Sequence, residues 1–279
     1  MVTVTRQGSG LARNVTADYT VCCNSWSRKI TPMPSLPRQH DLGQPDLGQP
    51  DLGQPVPDWS PATVPDKTFL SGHYCRLEPL TRAHGKDLLD AFRADDDGVI
   101  WDYLPYGPFD NLPAFEAFLE DSCLAADPFF YAIIDTGSGR PVGMASYLRI
   151  TPAQGVIEVG HINFAPALQR TPAATEAMYL MMRQVFDMWG YRRYEWKCND
   201  LNTRSKQAAR RLGFSFEGVF RQAAVVKGRN RDTAWFSVLD SEWPAVKSGF
   251  ERWLDPANFN EAGGQRQGLM QLRDSGTAG

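Results

Sequence analysis

The sequence predicts an α/β domain with a mixed, mostly antiparallel central sheet flanked by helices, preceded by a disordered N-terminal arm. Apolar residues make up 42% of the 279 residues and charged residues 22%, which is typical of globular proteins. Segments of strand and helix periodicity alternate after residue 66. Before that point the chain has no such periodicity and holds nine of its 20 prolines.

The predicted arm, residues 1–66, repeats the unit DLGQP three times within residues 41–55. Recurring Pro and Gly preclude a helix, and one Leu per unit cannot build a core. The arm is either a partner-binding linear motif or a poorly constrained repeat expansion, and low-complexity composition favours the second. Because it buries little, we expect its removal to leave the melting temperature nearly unchanged.

The folded domain is predicted to span residues 67–254, followed by a flexible tail over residues 255–279. Alternating residues predict strands and apolar spacings of three and four predict helices, with Gly-rich or Pro-containing turns between them. In chain order we expect a strand at 73–80, helices at 81–93 and 112–124, strands at 129–134, 141–150 and 156–164, a helix at 171–189, a strand at 193–198, a helix at 203–212, strands at 214–226 and 234–239, and a helix at 243–254.

Net charge, the lack of long apolar runs and the cysteine content exclude several classes of protein. A net charge of -3 gives no overall attraction to nucleic acid or to an anionic membrane. The first twenty residues lack the apolar run of a secretory signal, and no stretch matches a membrane helix, so we expect a soluble, cytoplasmic protein. Five cysteines without a CxxC pair indicate reduced thiols, with no metal site.

The start of the helix at 171–189 is the first candidate binding site. Thr171 is a good N-cap, and Pro172 fits the first helical position. The amides of Ala173, Ala174 and Thr175 are then expected to be free for an anion, with Gln169 and Arg170 just upstream. An ordinary capped core helix has the same spacing, so the pattern alone leaves both interpretations open.

Three blocks of sequence resemble the GNAT N-acyltransferases. The run from Gln169 to Ala177, QRTPAATEA, resembles their acetyl-CoA pyrophosphate loop, and its TEA ending is typical of the branch with the ribosomal-protein N-terminal acetyltransferases. NTRS at 202–205, LGF at 212–214 and EG at 217–218 resemble that branch's second block, and EVGH at 158–161 its central strand. The resemblance covers residues 70–243. Pro172 replaces the central loop glycine.

The resemblance implies a GNAT-like fold in which the strands 156–164 and 193–198 separate and acetyl-CoA binds between them as a co-substrate, without a metal. The implied coenzyme contacts are Phe164, Gln169, Arg170, Thr171, Ala173, Ala174, Thr175, Asn202 and Arg210. Ser205 resembles the residue that approaches the coenzyme sulfur. Asn202 and Ser205 also suit helix capping.

Acyl transfer to an amine needs a base, for which we select Glu158. It shares strand parity with Gly160, Ile162 and Phe164, and apolar neighbours would raise its pKa. The alternative is a structural carboxylate bonded to backbone or arginine. His161, on the opposite parity, is either a proton relay or a satisfied core residue.

The prediction for the acceptor side depends on an aromatic loop and a basic turn. Trp101, Tyr103 and Tyr106 are expected to line an acceptor pocket or to cover the sheet edge. The basic turn 227–232 is expected to be solvated and too small for RNA. We therefore expect a small-molecule amine or peptide N-terminus as acceptor, no nucleic acid or membrane partner, and a homodimer as one candidate assembly.

The sequence favours an acetyl-CoA-dependent N-acetyltransferase, an acyltransferase that moves groups other than aminoacyl groups. The second hypothesis is a catalytically silent acyl-CoA-binding regulatory module, which Pro172 would favour. The third is a thiol hydrolase that uses Cys198 and His161, although nothing in the sequence orients that pair.

Overall fold

The computed structural model describes residue 53 and residues 55–275. The chain divides into two compact units, Met1–Pro55 and Val56–Gly279, and the elements below belong to the second. The predicted DLGQP repeat lies outside the described residues except for Gly53 and Pro55.

A single eight-stranded sheet runs through the domain in the order β1-β2-β3-β4-β5-β6-β8-β7. Every neighbouring pair is antiparallel except β5 and β6, which are parallel. The predicted mixed, mostly antiparallel α/β fold is therefore confirmed. The strands are β1 (Leu70–Ser71), β2 (Cys75–Pro79), β3 (Phe129–Asp135), β4 (Pro141–Thr151), β5 (Val156–Phe164), β6 (Arg193–Asn199), β7 (Ser215–Val226) and β8 (Arg229–Leu239).

Among the described residues, six α-helices flank the sheet, and the second and third continue into π-helical turns at Leu119–Cys123 and Gln184–Met188. Most predicted helices and strands end within two residues of the observed bounds, because a glycine or a proline marks where they stop. The helices are α1 (Gly85–Phe92), α2 (Leu112–Phe118), α3 (Pro172–Arg183), α4 (Thr203–Arg211), α5 (Trp243–Leu254) and α6 (Leu269–Asp274). Among the described residues, no helix is long and apolar enough to cross a membrane.

Two apolar cores lie on opposite faces of the sheet. The first packs α3 and α5 against one face, and the second packs α1, α2 and the loop 99–109 against β3 and β4 on the other. Tyr147 of β4 is fully buried in the first core, and its hydroxyl donates to the Met181 carbonyl at 2.8 Å, which fixes α3 against the sheet.

The domain extends beyond both predicted boundaries. Trp59 Nε1 donates to the Ala153 carbonyl at 3.1 Å, and Ala62 is buried and pairs with Pro152 through its backbone amide. The prediction of an undocked arm is therefore wrong for residues 59–66. At the other end, Leu269 and Leu272 of α6 are buried, so the predicted flexible tail is wrong through residue 275. Both segments are too short for periodicity to reveal.

Candidate active site

The sheet opens between β5 and β6. Their parallel pairing starts at Val156 and ends where Val159 faces Trp196. On the other side of β5, Gly160 pairs with Ser146 and Asn163 with Met144, so β5 carries one extra residue in between. This bulge includes His161, whose φ is +50°. The second half of β5 and the last residues of β6 are thus left without mutual pairing.

The bulge changes which side chains share a face. Ile162 and Phe164 pack against the first core. His161 contacts the rings of Tyr106 and Phe130 on the opposite side of the sheet. The predicted parity is therefore wrong beyond Gly160, because the extra residue reverses the alternation. His161 comes to lie on the same face as Glu158.

Glu158 lies in an ionic environment. Its side chain is 4% exposed, and Oε2 accepts from Arg149 Nη1 at 2.5 Å and forms an ion pair with Lys197 Nζ at 2.8 Å. The expected apolar neighbourhood is therefore wrong, and the alternative of a carboxylate bonded to arginine describes this oxygen. The second oxygen, Oε1, lies toward Gly160, since a Cβ built there would be 3.7 Å from it. One oxygen is thus held by cations while the other points along β5 to the opening.

Lys197 connects Glu158 to a second buried carboxylate. Its Nζ is 2.7 Å from Glu195 Oε2 and lies 3.7 Å from the centre of the Trp235 ring. Arg193 extends the network by binding both Glu195 and Glu217. This chain of charges covers the face of β6 and β8 next to the opening.

His161 and Tyr106 form an uncharged wall beside the opening. The rings stack at 5.6 Å, and Nδ1 of His161 lies 3.2 Å from the Tyr106 hydroxyl. Burial, with help from Arg149 and Arg231, lowers the pKa of His161 to about 4. Burial also raises the pKa of Tyr106. Both groups are therefore neutral at physiological pH.

Asn202 and Ser205 lie at the start of α4, where both perform structural roles. Asn202 Oδ1 caps the helix by accepting from the Ser205 amide at 3.0 Å. Ser205 Oγ accepts from Trp196 Nε1 at 3.0 Å, which leaves its own proton for another acceptor. Because Trp196 and Lys197 are consecutive on β6, they point to opposite faces. Ser205 and Glu158 therefore lie on opposite sides of the opening.

The start of α3 offers fewer free amides than predicted. Thr171 Oγ1 accepts from the Ala174 amide at 3.2 Å. In an α-helix the first intrahelical bond goes to the N-cap carbonyl, which assigns the Thr175 amide to Thr171 as well. Only the Ala173 amide remains of the predicted three. Upstream, the side chains of Gln169 and Arg170 are exposed, and Gln169 Nε2 donates to the Phe164 carbonyl at 2.9 Å.

Glu176, in the same motif, anchors α3 to the first hairpin. Its buried carboxylate accepts the backbone amides of His73, Tyr74 and Cys75 at 2.8, 2.6 and 2.8 Å. Gly72 is required beside it, since a Cβ there would lie 2.3 Å from the Glu176 carboxyl carbon. The sequence motif thus supplies the N-cap of α3 and also fixes the position of the helix in the fold.

Arg210 packs against aromatic rings of β7 and β8. Its guanidinium lies 5.8 Å from the Phe216 ring centre and 5.6 Å from that of Phe236. Arg211 contacts α3 instead, donating to Thr175 Oγ1 at 3.0 Å. Arg210 lines a surface cleft of about 420 Å³ near α5 and α6, which is separate from the opening between β5 and β6.

The loop 99–109 crosses the opening and makes contacts on both sides of it. Tyr103 donates to the Leu201 carbonyl after β6 at 3.3 Å, and Lys227 of the last hairpin donates to the Trp101 carbonyl at 2.9 Å. Trp101 itself is buried in the second core, so only Tyr103 and Tyr106 of the three predicted acceptor residues approach the opening through their side chains. The loop therefore links the two sides of the site.

Sequence reasoning missed Arg149, Lys197 and Arg231. Arg231 belongs to the turn predicted to be solvated, yet it lies in β8 and its Nε is buried. The available sequence signal was that basic residues occupy alternate positions of this hairpin, as they do when their side chains share one face of a strand. Within residues 55–275 there is no group of three or more His, Cys, Asp or Glu side chains that could hold a metal ion.

Comparisons with known proteins agree with this geometry. Residues 75–215 match a family model described as an acetyltransferase (GNAT) domain. A GCN5-related N-acetyltransferase from Brucella melitensis is 48% identical with a TM-score of 0.77, covering 78% of this chain and 100% of that one. A probable acetyltransferase of the GNAT family from Chromobacterium violaceum is 40% identical with a TM-score of 0.65, covering 72% of this chain and 100% of that one.

More distant structures share the fold. Two ribosomal-protein acetyltransferases, one of them from Vibrio cholerae, are 17% identical with TM-scores of 0.55, covering 63% and 62% of this chain and 99% and 94% of theirs. No curated protein sequence matches the chain.

Proposed function

The chain belongs to the GNAT acetyltransferase family and is an acyltransferase, and we propose that it moves an acetyl group from acetyl-CoA to a primary amine by direct attack in a ternary complex. The acceptor is a small molecule or a protein N-terminus. The opening between β5 and β6 beside the start of α3 is the observation that carries this proposal. The net charge of -3 leads us to propose that the chain has no nucleic-acid or membrane partner. Its five cysteines without a CxxC pair lead us to propose a cytoplasmic location.

The residues around the opening fit the co-substrate. Beyond Val159, the backbone of β5 has no partner on the β6 side, so an extended pantetheine arm can pair with it as a strand would. The positive end of α3, the Ala173 amide and the Arg170 guanidinium suit the pyrophosphate. When bound, acetyl-CoA supplies the thioester carbonyl that the amine attacks.

Two side chains on opposite sides of the opening would handle the protons. We assign the amine proton to Glu158 Oε1, through water, because Arg149 and Lys197 already hold Oε2. We assign the proton for the departing thiolate to the Ser205 hydroxyl, whose oxygen is held by Trp196, and solvent returns a proton to Ser205 as Glu158 releases its own. A new C–N bond forms and the C–S bond breaks between these two groups. His161 stays neutral and lines the acceptor side.

Calorimetry with acetyl-CoA and thiol release over a panel of amines test the function. Arg170→Glu should weaken acetyl-CoA binding at least tenfold, because it places a carboxylate where the pyrophosphate binds. Arg221→Glu makes the same charge change at an exposed site on the edge strand β7 and should bind normally. Equal affinities for the two variants would contradict the assigned coenzyme site.

The role of Glu158 can be separated from its ion pairs. Glu158→Gln should lower kcat by roughly 10² to 10⁴ with little change in acetyl-CoA affinity. Glu195→Gln is the matched control, because Glu195 is also buried and binds the same Lys197 from the same face. If both variants lose the same activity, the ion network rather than a proton acceptor explains the effect.

The other two hypotheses predict different results. A silent acyl-CoA-binding module would bind acetyl-CoA and release no thiol with any amine. A thiol hydrolase needs a reactive thiolate, but burial raises the pKa of Cys198, and its sulfur lies beside Ser205. The structure thus favours an amine acceptor over a cysteine nucleophile.

A further inference from the structure

Arg231 is a cation of the acceptor side that has no ionic partner among the residues the structure describes. We propose that it binds a carboxylate of the acceptor, so that the amine acetylated here belongs to a free amino acid rather than to a peptide N-terminus. The inference rests on the proposed acetyl transfer and specifies its substrate class.

The position of Arg231 places it at the mouth of the opening. In β8, Thr233 faces Asn199, the last residue of β6, so Arg231 lies two residues beyond the end of β6. Strand alternation puts it on the same face as Trp235, whose ring contacts Lys197. Its charge acts on Glu158, Arg149 and Cys198, and also on His161 across the opening. The side chain therefore lies just beyond the end of β6, on the face of the sheet that carries Lys197 and its ion pair with Glu158.

Within residues 55–275, one donor of the Arg231 guanidinium has no hydrogen-bond acceptor. Its Nε is buried without an acceptor, and within residues 55–275 no carboxylate lies within 4.0 Å of its guanidinium. Burial lowers the pKa of Arg231, which reflects the cost of desolvating this cation. A buried guanidinium N–H without an acceptor is rare in folded proteins because water binds it so well. A second buried donor without an acceptor, Trp235 Nε1, lies on the same face of β8.

The charge balance of this face matches one carboxylate. The ion network pairs Arg149, Lys197 and Arg193 with Glu158, Glu195 and Glu217, which leaves Arg231 as one uncompensated positive charge. A monoanion neutralises that charge, whereas a phosphate dianion would exceed it. The planar guanidinium fork also matches the two oxygens of a carboxylate. An amino acid bound in this way would direct its amine toward Glu158.

Matched acceptor pairs test the proposal on the full-length chain. L-phenylalanine and L-methionine are compared with their amides and with a tripeptide, with kcat/KM expressed per unprotonated amine because amidation lowers the pKa of the amine. We expect the free acids to be preferred at least tenfold. Arg231→Gln should remove this preference through a raised KM for the acids, and Arg231→Lys should retain part of it.

Arg229→Gln is the control, because Arg229 is an exposed arginine two residues away on the same strand. It should keep the wild-type preference. Equal rates for acids and amides in the wild type, a preference for the tripeptide, or an equal loss on acids and amides in Arg231→Gln would overturn the proposal. Calorimetry completes the test, since weaker acetyl-CoA binding by Arg231→Gln would assign the guanidinium to the coenzyme. If the wild type acetylated no amine, the proposed function would fail instead.

Discussion

The Glu176 carboxylate gives the sharpest stability prediction. Glu176→Gln removes the charge and one of two acceptor oxygens that now receive three backbone amides. Charge-assisted hydrogen bonds are about twice as strong as neutral ones. A buried backbone amide that faces the NH2 group of the new glutamine, and so has no acceptor, costs about 1 to 3 kcal/mol. Weakening two bonds and losing the third should therefore cost about 3 kcal/mol in free energy of unfolding.

For a domain of this size, each kcal/mol lowers the melting temperature by roughly 2 to 4 °C, so we expect a decrease of about 6 to 12 °C. Urea unfolding at constant temperature should give the matching shift in midpoint with an unchanged m-value. Glu261→Gln, at an exposed position, is the control and should unfold like the wild type. A change below about 1 kcal/mol for Glu176→Gln would refute the view that this carboxylate anchors α3.

Three further results are expected. Removing residues 1–66 should lower the melting temperature by about 4 to 8 °C relative to removing residues 1–55, because Trp59 and Ala62 lose their packing; equal melting temperatures would mean that this segment adds no stability. His161 has a pKa of about 4 in the fold and near 6.5 in the unfolded chain. The wild type should therefore lose stability as the pH falls from 6.5 to 4, and His161→Gln should lose less. Acid titrations monitored by circular dichroism would measure both losses. Ala174→Asp should weaken acetyl-CoA binding at least tenfold in calorimetry and also lower the melting temperature, because Ala174 is buried, whereas Ala167→Asp, in the exposed loop before the helix, should bind normally.

Local patterns were sufficient to predict most of the fold. The bounds of β5 and α5 match the predictions, because turn residues and proline mark both ends of each element. The short helix α6 was missed because Leu269 and Leu272 alone carry its apolar pattern. Its packing depends on Gly249, where a Cβ would lie 2.8 Å from the Arg273 Cβ. Such a tertiary contact has no signature in the local sequence.

The chemistry of the site was less accessible to sequence reasoning. Glu158 was identified by strand position, but its cations come from Arg149 on β4 and Lys197 on β6, and only the sheet order brings them together. The bulge at His161 could not be read from the alternation, because an inserted residue depends on the partner strand. Thr171 was predicted correctly as the N-cap, yet the cap itself uses an amide that the anion site was expected to keep.

The edge strand β7 has exposed apolar side chains and an irregular backbone, and both features affect self-association of the protein. β7 is an edge strand of 12 residues with Phe216, Val219, Phe220 and Val225 exposed, a composition that favours pairing with the edge of another molecule. Its register shifts twice, between Phe216 and Gly218 and between Phe220 and Ala224. In the second irregularity, the Gln222 amide donates to Asp232 Oδ1 at 2.7 Å. A strand bent twice, with an amide already engaged by a carboxylate, offers no continuous ladder for another strand, so its exposed apolar residues do not make it a template for aggregation.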